Sequence, residues 1–223
     1  MSVSSLSASA QDYLKAVWAL QEWSDAPVTP SAVAARVNVK LSTASDAIKK
    51  LTAQGLLRHA RYGAVTLTPL GREHALAMVR RHRLIESFLV WKLGYSWDQV
   101  HEEAEALEHV VSDFFVDRLA AALDHPARDP HGDPIPHPDG SVVHPAAVQL
   151  PQLPVGATAV VERIADDDSA LLQYFASVGL GIGTQVRVAP GAPYSGTLAV
   201  TLGRATIALG EQAAAAVWAT PRD

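Results

Sequence analysis

The feature that most constrains the fold of this chain is an abrupt change of pattern after residue 124. Up to that point, apolar residues recur at the three- and four-residue spacing of amphipathic helices. The stretch from His125 to Pro154 holds more than half of the chain's 14 prolines, which excludes a continuous helix. Five short apolar runs typical of strands follow in residues 155–223. The pattern therefore predicts a helical part, a semi-rigid linker and a small β-barrel of the SH3-like kind.

The first seventy residues predict the element order of a winged helix-turn-helix. Three helices are followed by two short apolar runs, 56–59 and 64–68, whose glycine-containing connection indicates a β-hairpin. Small polar residues that favour N-caps stand where the helices are expected to begin. The predicted helices and their caps are 10–23 after Ser9, 31–37 after Thr29 with Pro30, and 43–54 after Ser42.

The net charge of −5 is distributed unevenly along the chain. Residues 1–92 contain 12 Lys and Arg against 6 Asp and Glu, whereas residues 93–123 contain 1 against 7. A basic module that precedes an acidic helical block indicates a polyanion-binding domain joined to one that attracts cations. Chance segregation of solvated charges is the alternative explanation.

Two absences narrow the chemistry. The chain has no cysteine, so disulfides, thiolate metal sites and cysteine nucleophiles are excluded. No stretch reaches the roughly 18 uninterrupted apolar residues of a membrane helix. We therefore expect a cytoplasmic protein without a membrane partner.

Ionisable residues gather on one face of the helix predicted from residue 97 to residue 109 or beyond. At about 100° per residue, His101, Glu105, Glu108 and His109 fall within one face about 100° wide. His82 and Glu86 form an i, i+4 pair on the preceding helix, predicted over 69–93. Charged groups on faces that should pack together are costly unless they are paired or bind a metal. Imidazole and carboxylate on facing helices are the ligands of octahedral Mn²⁺ or Fe²⁺ and of some Zn²⁺ sites.

Three segments carry a resemblance to a known family. They are RRHRLIESFL at 80–89, VHEEAEALEHVVSDFFVDRL at 100–119 and DPHGDPIP at 129–136. With them the chain resembles the diphtheria-toxin-repressor family of metal-dependent transcriptional regulators, over nearly its whole length. The resemblance implies two metal sites per subunit. One comprises Asp12, Glu105, Glu108 and His109, and the other comprises His82, Glu86, His101 and Asp168, with Asp166 and Asp167 as alternatives to Asp168.

Two of these positions separate the branches of the family. Iron-responsive members place Met and Cys where this chain has Asp12 and Glu105, and manganese-responsive members place Asp and Glu there. Oxygen ligands suit Mn²⁺, which gains nothing from sulfur. Short manganese regulators carry Glu where this chain has Lys15, so we expect two separate mononuclear sites rather than a binuclear one.

The third helix is the predicted DNA-recognition helix. Its N-terminal end is expected to enter the major groove, and basic residues around it to contact phosphates. The candidate DNA-binding residues are Lys40, Ser42, Thr43, Ser45, Asp46, Lys49, Lys50, Arg58 and Arg61.

These observations predict a mainly α protein with four segments: a winged-helix domain over 1–72, a helical metal-binding and dimerisation domain over 73–124, a proline-rich linker over 125–154, and an SH3-like, FeoA-like domain over 155–223. We expect a homodimeric, Mn²⁺-activated repressor of metal-homeostasis genes that binds operator DNA and neither catalyses a reaction nor binds an organic substrate. An iron-responsive regulator and a winged-helix sensor of a small organic ligand are the alternatives. A metallohydrolase lacks a candidate general base.

Overall fold

The computed structural model describes residues 3–60 and 63–222. These residues divide into two compact units. The first contains Met1–Ile85, Glu105–Ala122 and Pro136–Ser141, and the second contains Glu86–Ala104, Leu123–Ile135 and Val142–Asp223. No helix in the described ranges has the length and apolar character needed to cross a membrane.

The first unit begins with the predicted helix-turn-helix and hairpin. Its helices are α1 (Ala8–Glu22), α2 (Pro30–Arg36) and α3 (Leu41–Ala53), and its strands are β1 (Leu57–His59) and β2 (Val65–Leu67), which pair antiparallel. Their apolar sides form a core in which Leu14, Val17, Val33 and Ile48 are fully buried. The predicted winged-helix order is confirmed.

Two of the predicted helix starts need correction. The side chain of Ser7, not Ser9, caps α1 by accepting a hydrogen bond from the Ala10 backbone N–H. Helix α3 begins at Leu41 with Lys40 as N-cap, so Ser42 lies inside the first turn. The predicted start of α2 is confirmed, because the Thr29 hydroxyl accepts a hydrogen bond from the Ala32 N–H at 3.1 Å.

Three helices follow the hairpin. They are α4 (Pro69–Leu93), α5 (Val100–Leu107) and α6 (Asp113–Ala122). Helix α4 has the predicted bounds, but α5 is shorter than the predicted 97–109 segment. A turn ends it, because the Val110 N–H bonds to the Leu107 carbonyl. Glu108 and His109 therefore lie just beyond α5 rather than on its face.

The second unit contains a six-stranded antiparallel sheet. Its strands are β3 (Val148–Gln149), β4 (Thr158–Ile164), β5 (Gln185–Pro190), β6 (Thr197–Leu202), β7 (Ala205–Gly210) and β8 (Val217–Arg222), in the order β3-β8-β4-β5-β6-β7. Helices α7 (Ser169–Val178) and α8 (Glu211–Ala215) complete it. Alternate residues such as Ala159 and Val161 face a buried core. Four of the five predicted runs coincide with β4 to β7. The fifth was placed at 215–218, where α8 ends and β8 begins, and neither α8 nor β3 was predicted.

The middle of the predicted linker is a buried loop. One carboxylate oxygen of Asp129 accepts hydrogen bonds from the backbone N–H groups of His131 and Asp133, both at 2.9 Å. Gly132 has φ +89° and lies against β4, where a Cβ atom would come within 1.9 Å of the Glu162 carbonyl oxygen. Only glycine fits this position, and the close approach fixes the loop against the sheet.

Candidate metal centre

The first unit brings together the four residues predicted for one metal site. Asp12 comes from α1, Glu105 from α5, and Glu108 and His109 from the turn that follows. Each offers a ligand atom within 4.8 Å of the others. We call these four residues the first cluster. Glu108 is fully buried, and the other three are partly exposed.

His109 is oriented by a neighbour on α1. The Gln11 side-chain amide donates to the carbonyl oxygens of Val3 and Leu6, which assigns its oxygen to the side facing His109. That oxygen lies 2.7 Å from His109 Nδ1, so Nδ1 carries the proton and Nε2 presents a lone pair. This is the arrangement in which a histidine ligand is normally held.

The space between His109 and Asp12 fits a cation. His109 Nε2 lies 3.0 Å from the buried Asp12 Oδ1, which has no hydrogen-bond partner among residues 3–60 and 63–222. Two acceptors that face each other are satisfied by an ion between them. Burial also raises the pKa of the Asp12 carboxyl above its ordinary value, although the nearby His109 and Lys15 oppose this shift.

A lysine ammonium enters the same cluster. Lys15, one turn after Asp12 on α1, places Nζ 2.6 Å from Glu105 Oε1 and 2.6 Å from Glu108 Oε1. The other oxygen of Glu108 lies 2.6 Å from His82 Nδ1. Burial opposes the charge on Lys15, but the two carboxylates outweigh it and raise its pKa. The two glutamates therefore share a positive charge supplied by the chain itself.

The second unit assembles another group of ionisable side chains. His101 Nδ1 lies 3.6 Å from Glu86 Oε1 and 3.1 Å from Asp166 Oδ2. We call Glu86, His101 and Asp166 the second cluster. Burial opposes protonation of His101, but Asp166 and Glu86 raise its pKa to about 10. His82 precedes Glu86 by one turn of α4, and its assignment to this site stays a prediction.

Asp168 has a different role from the predicted one. Its carboxylate accepts a hydrogen bond from the Leu171 N–H at 3.0 Å and forms the N-cap of α7. Asp167 is exposed. The carboxylate that approaches His101 belongs to Asp166, so Asp166 replaces Asp168 as the candidate ligand from this turn.

A third group was not predicted at all. Glu86, Asp129 and His131 are all buried and offer ligand atoms within 4.8 Å of one another. Burial opposes protonation of His131, and the neighbouring Glu86 carboxylate raises its pKa to about 10. The sequence signal is the histidine between two aspartates in the DPHGDPIP segment, which contributes to the family resemblance but was assigned to the linker and not to a metal site.

Most of the candidate DNA-contacting residues that the structure describes are exposed. On α3, Ala44, Ile48 and Leu51 are buried against the core, which leaves the opposite side of the helix exposed. Asp46 Oδ1 lies 3.4 Å from Lys49 Nζ, and both side chains are highly exposed. Ser45 is half-buried, Arg61 lies outside the described residues, and the exposed candidates are Lys40, Ser42, Thr43, Asp46, Lys49, Lys50 and Arg58.

Comparison with protein families covers nearly the whole chain. Residues 5–65 match the iron dependent repressor N-terminal DNA binding domain. Residues 68–137 match the iron dependent repressor metal binding and dimerisation domain. Residues 148–221 match the FeoA domain. Together these matches support the winged-helix, helical and SH3-like architecture.

Individual relatives agree with these matches. The iron-dependent repressor IdeR of Mycobacterium leprae is 34% identical over 168 residues, which cover 70% of this chain and 73% of the relative. The diphtheria toxin repressor of Corynebacterium glutamicum is 31% identical over 189 residues, covering 79% of this chain and 81% of that protein.

Solved structures are similar over the full length. A manganese-dependent transcriptional repressor in complex with manganese has a TM-score of 0.91 and 50% identity, covering 96% of this chain and 100% of that one. ScaR with bound Zn²⁺ has a TM-score of 0.83 and 32% identity, covering 95% and 98%. Fold and sequence agree: this chain belongs to the diphtheria-toxin-repressor family of metal-dependent transcriptional repressors, which are not enzymes.

Proposed function

We propose that this protein is a Mn²⁺-activated repressor that binds operator DNA as a homodimer and controls manganese-homeostasis genes in the cytoplasm. The observation that carries the proposal is the composition of the first cluster, three carboxylates and one imidazole with no sulfur. Such a set suits Mn²⁺, which stands lowest in the usual affinity order and prefers oxygen ligands. The similar manganese-dependent repressor supports this choice, whereas the iron-dependent relatives keep Fe²⁺ as the alternative.

The proposed ligands of one ion are Asp12, Glu105, Glu108 and His109. They link α1 of the helix-turn-helix to α5 and the turn after it, so an ion would connect the DNA-binding elements to the helical part. When bound, a divalent cation supplies the charge that offsets three clustered carboxylates. The residues of this chain do the rest, since Gln11 fixes the His109 ring and the buried Glu108 offers an oxygen to the cluster.

Lys15 sets a condition for this binding. Its ammonium contacts one carboxylate oxygen each of Glu105 and Glu108, two of the proposed ligands. We infer that Lys15 stabilises the metal-free cluster and withdraws when metal binds. Metal then has to offset the loss of two short ion pairs, which makes Lys15 a determinant of the metal concentration that activates the protein.

The second proposed ion rests on the second cluster. Glu86, His101 and Asp166 supply one imidazole and two carboxylates from α4, α5 and the turn before α7. This gives two ions per subunit. We also propose that the domain boundaries lie at residues 72, 124 and 154.

The dimer contact is proposed on apolar side chains that are exposed in the single chain. Val110 and Phe114 are 78% and 75% exposed, and Phe115 beside them is also exposed. They lie within residues 68–137, the match to a metal binding and dimerisation domain. A cluster of exposed aromatic and aliphatic residues on adjacent turns is typical of a surface that a partner covers. Dimerisation would set the spacing of two recognition helices on DNA.

A metal series tests the proposal. Operator binding is measured with the full-length protein and each of Mn²⁺, Fe²⁺, Zn²⁺ and Co²⁺ at controlled free concentration. We expect activation by Mn²⁺ in its physiological range. Activation by Fe²⁺ at lower free concentration than Mn²⁺ would support the iron-responsive alternative. Operator binding that does not depend on any of these metals would favour a sensor of an organic ligand.

A further inference from the structure

Arg81, on α4, is among the largest fully buried side chains of the described residues. It lies on the same face of the helix as Met78, three residues before it, and Ile85, four residues after it, and both of these side chains are also buried. A charged group in such apolar surroundings is costly unless it is paired and hydrogen-bonded. The partners of the guanidinium therefore account for its burial.

The guanidinium reaches both ends of the connection between α5 and α6, residues 108–112. Its Nη1 donates to the backbone carbonyl of Glu108, the first residue after α5, at 3.3 Å. Its Nη2 donates to the carboxylate of Asp113, the first residue of α6. Nη2 also donates to the Ser4 hydroxyl at 2.9 Å. One buried group of α4 thus holds the start and the end of the connection.

The backbone of this connection bonds back to the helix that it leaves. The N–H groups of Val110 and Val111 donate to the Leu107 carbonyl at the end of α5, at 3.1 and 3.3 Å. The side chain of Val110, in the middle of the connection, is 78% exposed and does not pack into the core. These bonds shape the turn but do not attach it to α4. Arg81 supplies an attachment to α4 through the backbone itself.

The same connection carries two of the proposed ligands of the first cluster, Glu108 and His109. The Glu108 carboxylate lies 2.6 Å from Lys15 Nζ, and His109 Nε2 lies 3.0 Å from Asp12 Oδ1. Holding the backbone at Glu108 fixes the points from which both side chains extend. The entropy cost of ordering the turn is then met on folding and not on metal binding, which increases affinity for the ion.

We propose that Arg81 is a positioning residue, which sets the metal affinity of the first cluster by holding the turn that carries Glu108 and His109. The proposal rests on the proposed function in that these two residues are metal ligands there. Arg81 acts through the Glu108 carbonyl, not through its carboxylate. A guanidinium suits this role because its planar donors reach separate acceptors in a fixed geometry, whereas a lysine ammonium is a single point charge on a flexible stem.

Nuclear magnetic resonance of the full-length protein, labelled with ¹⁵N-histidine and titrated with ¹¹³Cd²⁺, tests this directly. Coupling of ¹¹³Cd to Nε2 of His109 reports occupancy of the first cluster. Arg81→Met should require at least about tenfold more free Cd²⁺ for half-occupancy, and Arg81→Lys, which keeps the charge, should restore part of the affinity. Arg83→Met is the matched control: it removes another buried arginine of α4, whose partner is Glu22, and should leave the Cd²⁺ requirement unchanged although it too destabilises the fold.

The outcomes separate this proposal from the proposed function. An unchanged Cd²⁺ requirement in Arg81→Met, or an equal increase in Arg81→Met and Arg83→Met, would overturn the inference and leave the repressor proposal intact. Arg81 would then stabilise the fold without positioning the ligands. No coupling to His109 in the unmodified protein would contradict both proposals. If Arg81→Met does not fold, Arg81→Lys decides, and an affinity equal to that of the unmodified protein would overturn the inference.

Discussion

Replacing Lys15 by methionine separates the charge of this residue from its bulk. Lys15 has only 15% of its side chain exposed and contacts Glu108, which is fully buried. Removing one partner of a buried ion pair costs about 3–5 kcal/mol. The cost here should be smaller, about 2–3 kcal/mol, because Glu108 keeps its contact with His82 and Glu105 is 39% exposed. We therefore expect metal-free Lys15→Met protein to unfold at lower temperature or denaturant concentration.

The same substitution should tighten metal binding. A divalent ion no longer has to displace an ammonium from Glu105 and Glu108, so part of the lost stability returns as affinity. At 1.4 kcal/mol for each factor of ten, 2–3 kcal/mol sets an upper bound of about 30- to 150-fold. Titration calorimetry with Mn²⁺ measures the affinity, and scanning calorimetry with and without Mn²⁺ measures the stability.

Lys92→Met is the matched control, because Lys92 is exposed at the end of α4. It should change neither quantity. Lys15→Met protein that is as stable as the unmodified protein without metal, and that binds Mn²⁺ no more tightly, would refute the reasoning. Lys15 would then be a bystander to the first cluster.

Three further predictions follow from the second unit. Asp166→Ala should weaken Mn²⁺ binding at the second cluster by at least about tenfold. Asp168→Ala should leave this affinity unchanged and lower the free energy of unfolding by about 1 kcal/mol, because the cap of α7 is lost. Equal Mn²⁺ affinities of the two variants in titration calorimetry would contradict the assignment. The pKa of His101 is raised from 6.5 to about 10 in the folded metal-free protein, so its contribution to stability should be complete below about pH 6.5 and be lost as pH rises toward 10. The affinity for Mn²⁺ should rise over the same pH window. If stability and affinity both stay constant there, His101 is not paired with Asp166 and Glu86 as described. Gly132→Ala should destabilise the second unit by about 3 kcal/mol, because a Cβ would meet the Glu162 carbonyl at a φ that favours glycine; an unchanged denaturation midpoint would show that the loop can move.

The fold was predictable where apolar residues recur at a clear helical or strand spacing. The α4 bounds, the start of α2 and strands β4 to β7 follow from apolar spacing, turn residues and prolines. The short α5 was not predictable, because its pattern continues through Glu108 and His109 although the backbone turns after Leu107. A continuous helix would place Glu108 and His109 on the same face as His101, whereas the turn places them in the first cluster with Asp12.

The residue types of the candidate site were predictable from the sequence, but the side-chain contacts that form only in the folded protein were not. Asp166 and Asp168 stand in one run of three aspartates, and only the backbone decides which caps α7 and which meets His101. The burial of His131 near Glu86 was not predictable, because it depends on a loop whose close approach to β4 is possible only with glycine at position 132. Lys15 was visible as a departure from the family pattern, but its ammonium between two carboxylates is a tertiary contact.

The most direct test of the central claim is a fluorescence-anisotropy titration of the full-length protein on a labelled duplex that it selects from genomic DNA in the presence of Mn²⁺. We expect tight binding with Mn²⁺, loss of that binding with EDTA, and recovery when Mn²⁺ is added in excess. The single substitution Glu108→Gln, at the buried centre of the first cluster, should abolish the recovery while the protein stays folded. Binding of equal strength with EDTA and with Mn²⁺ would contradict the claim that metal controls this protein.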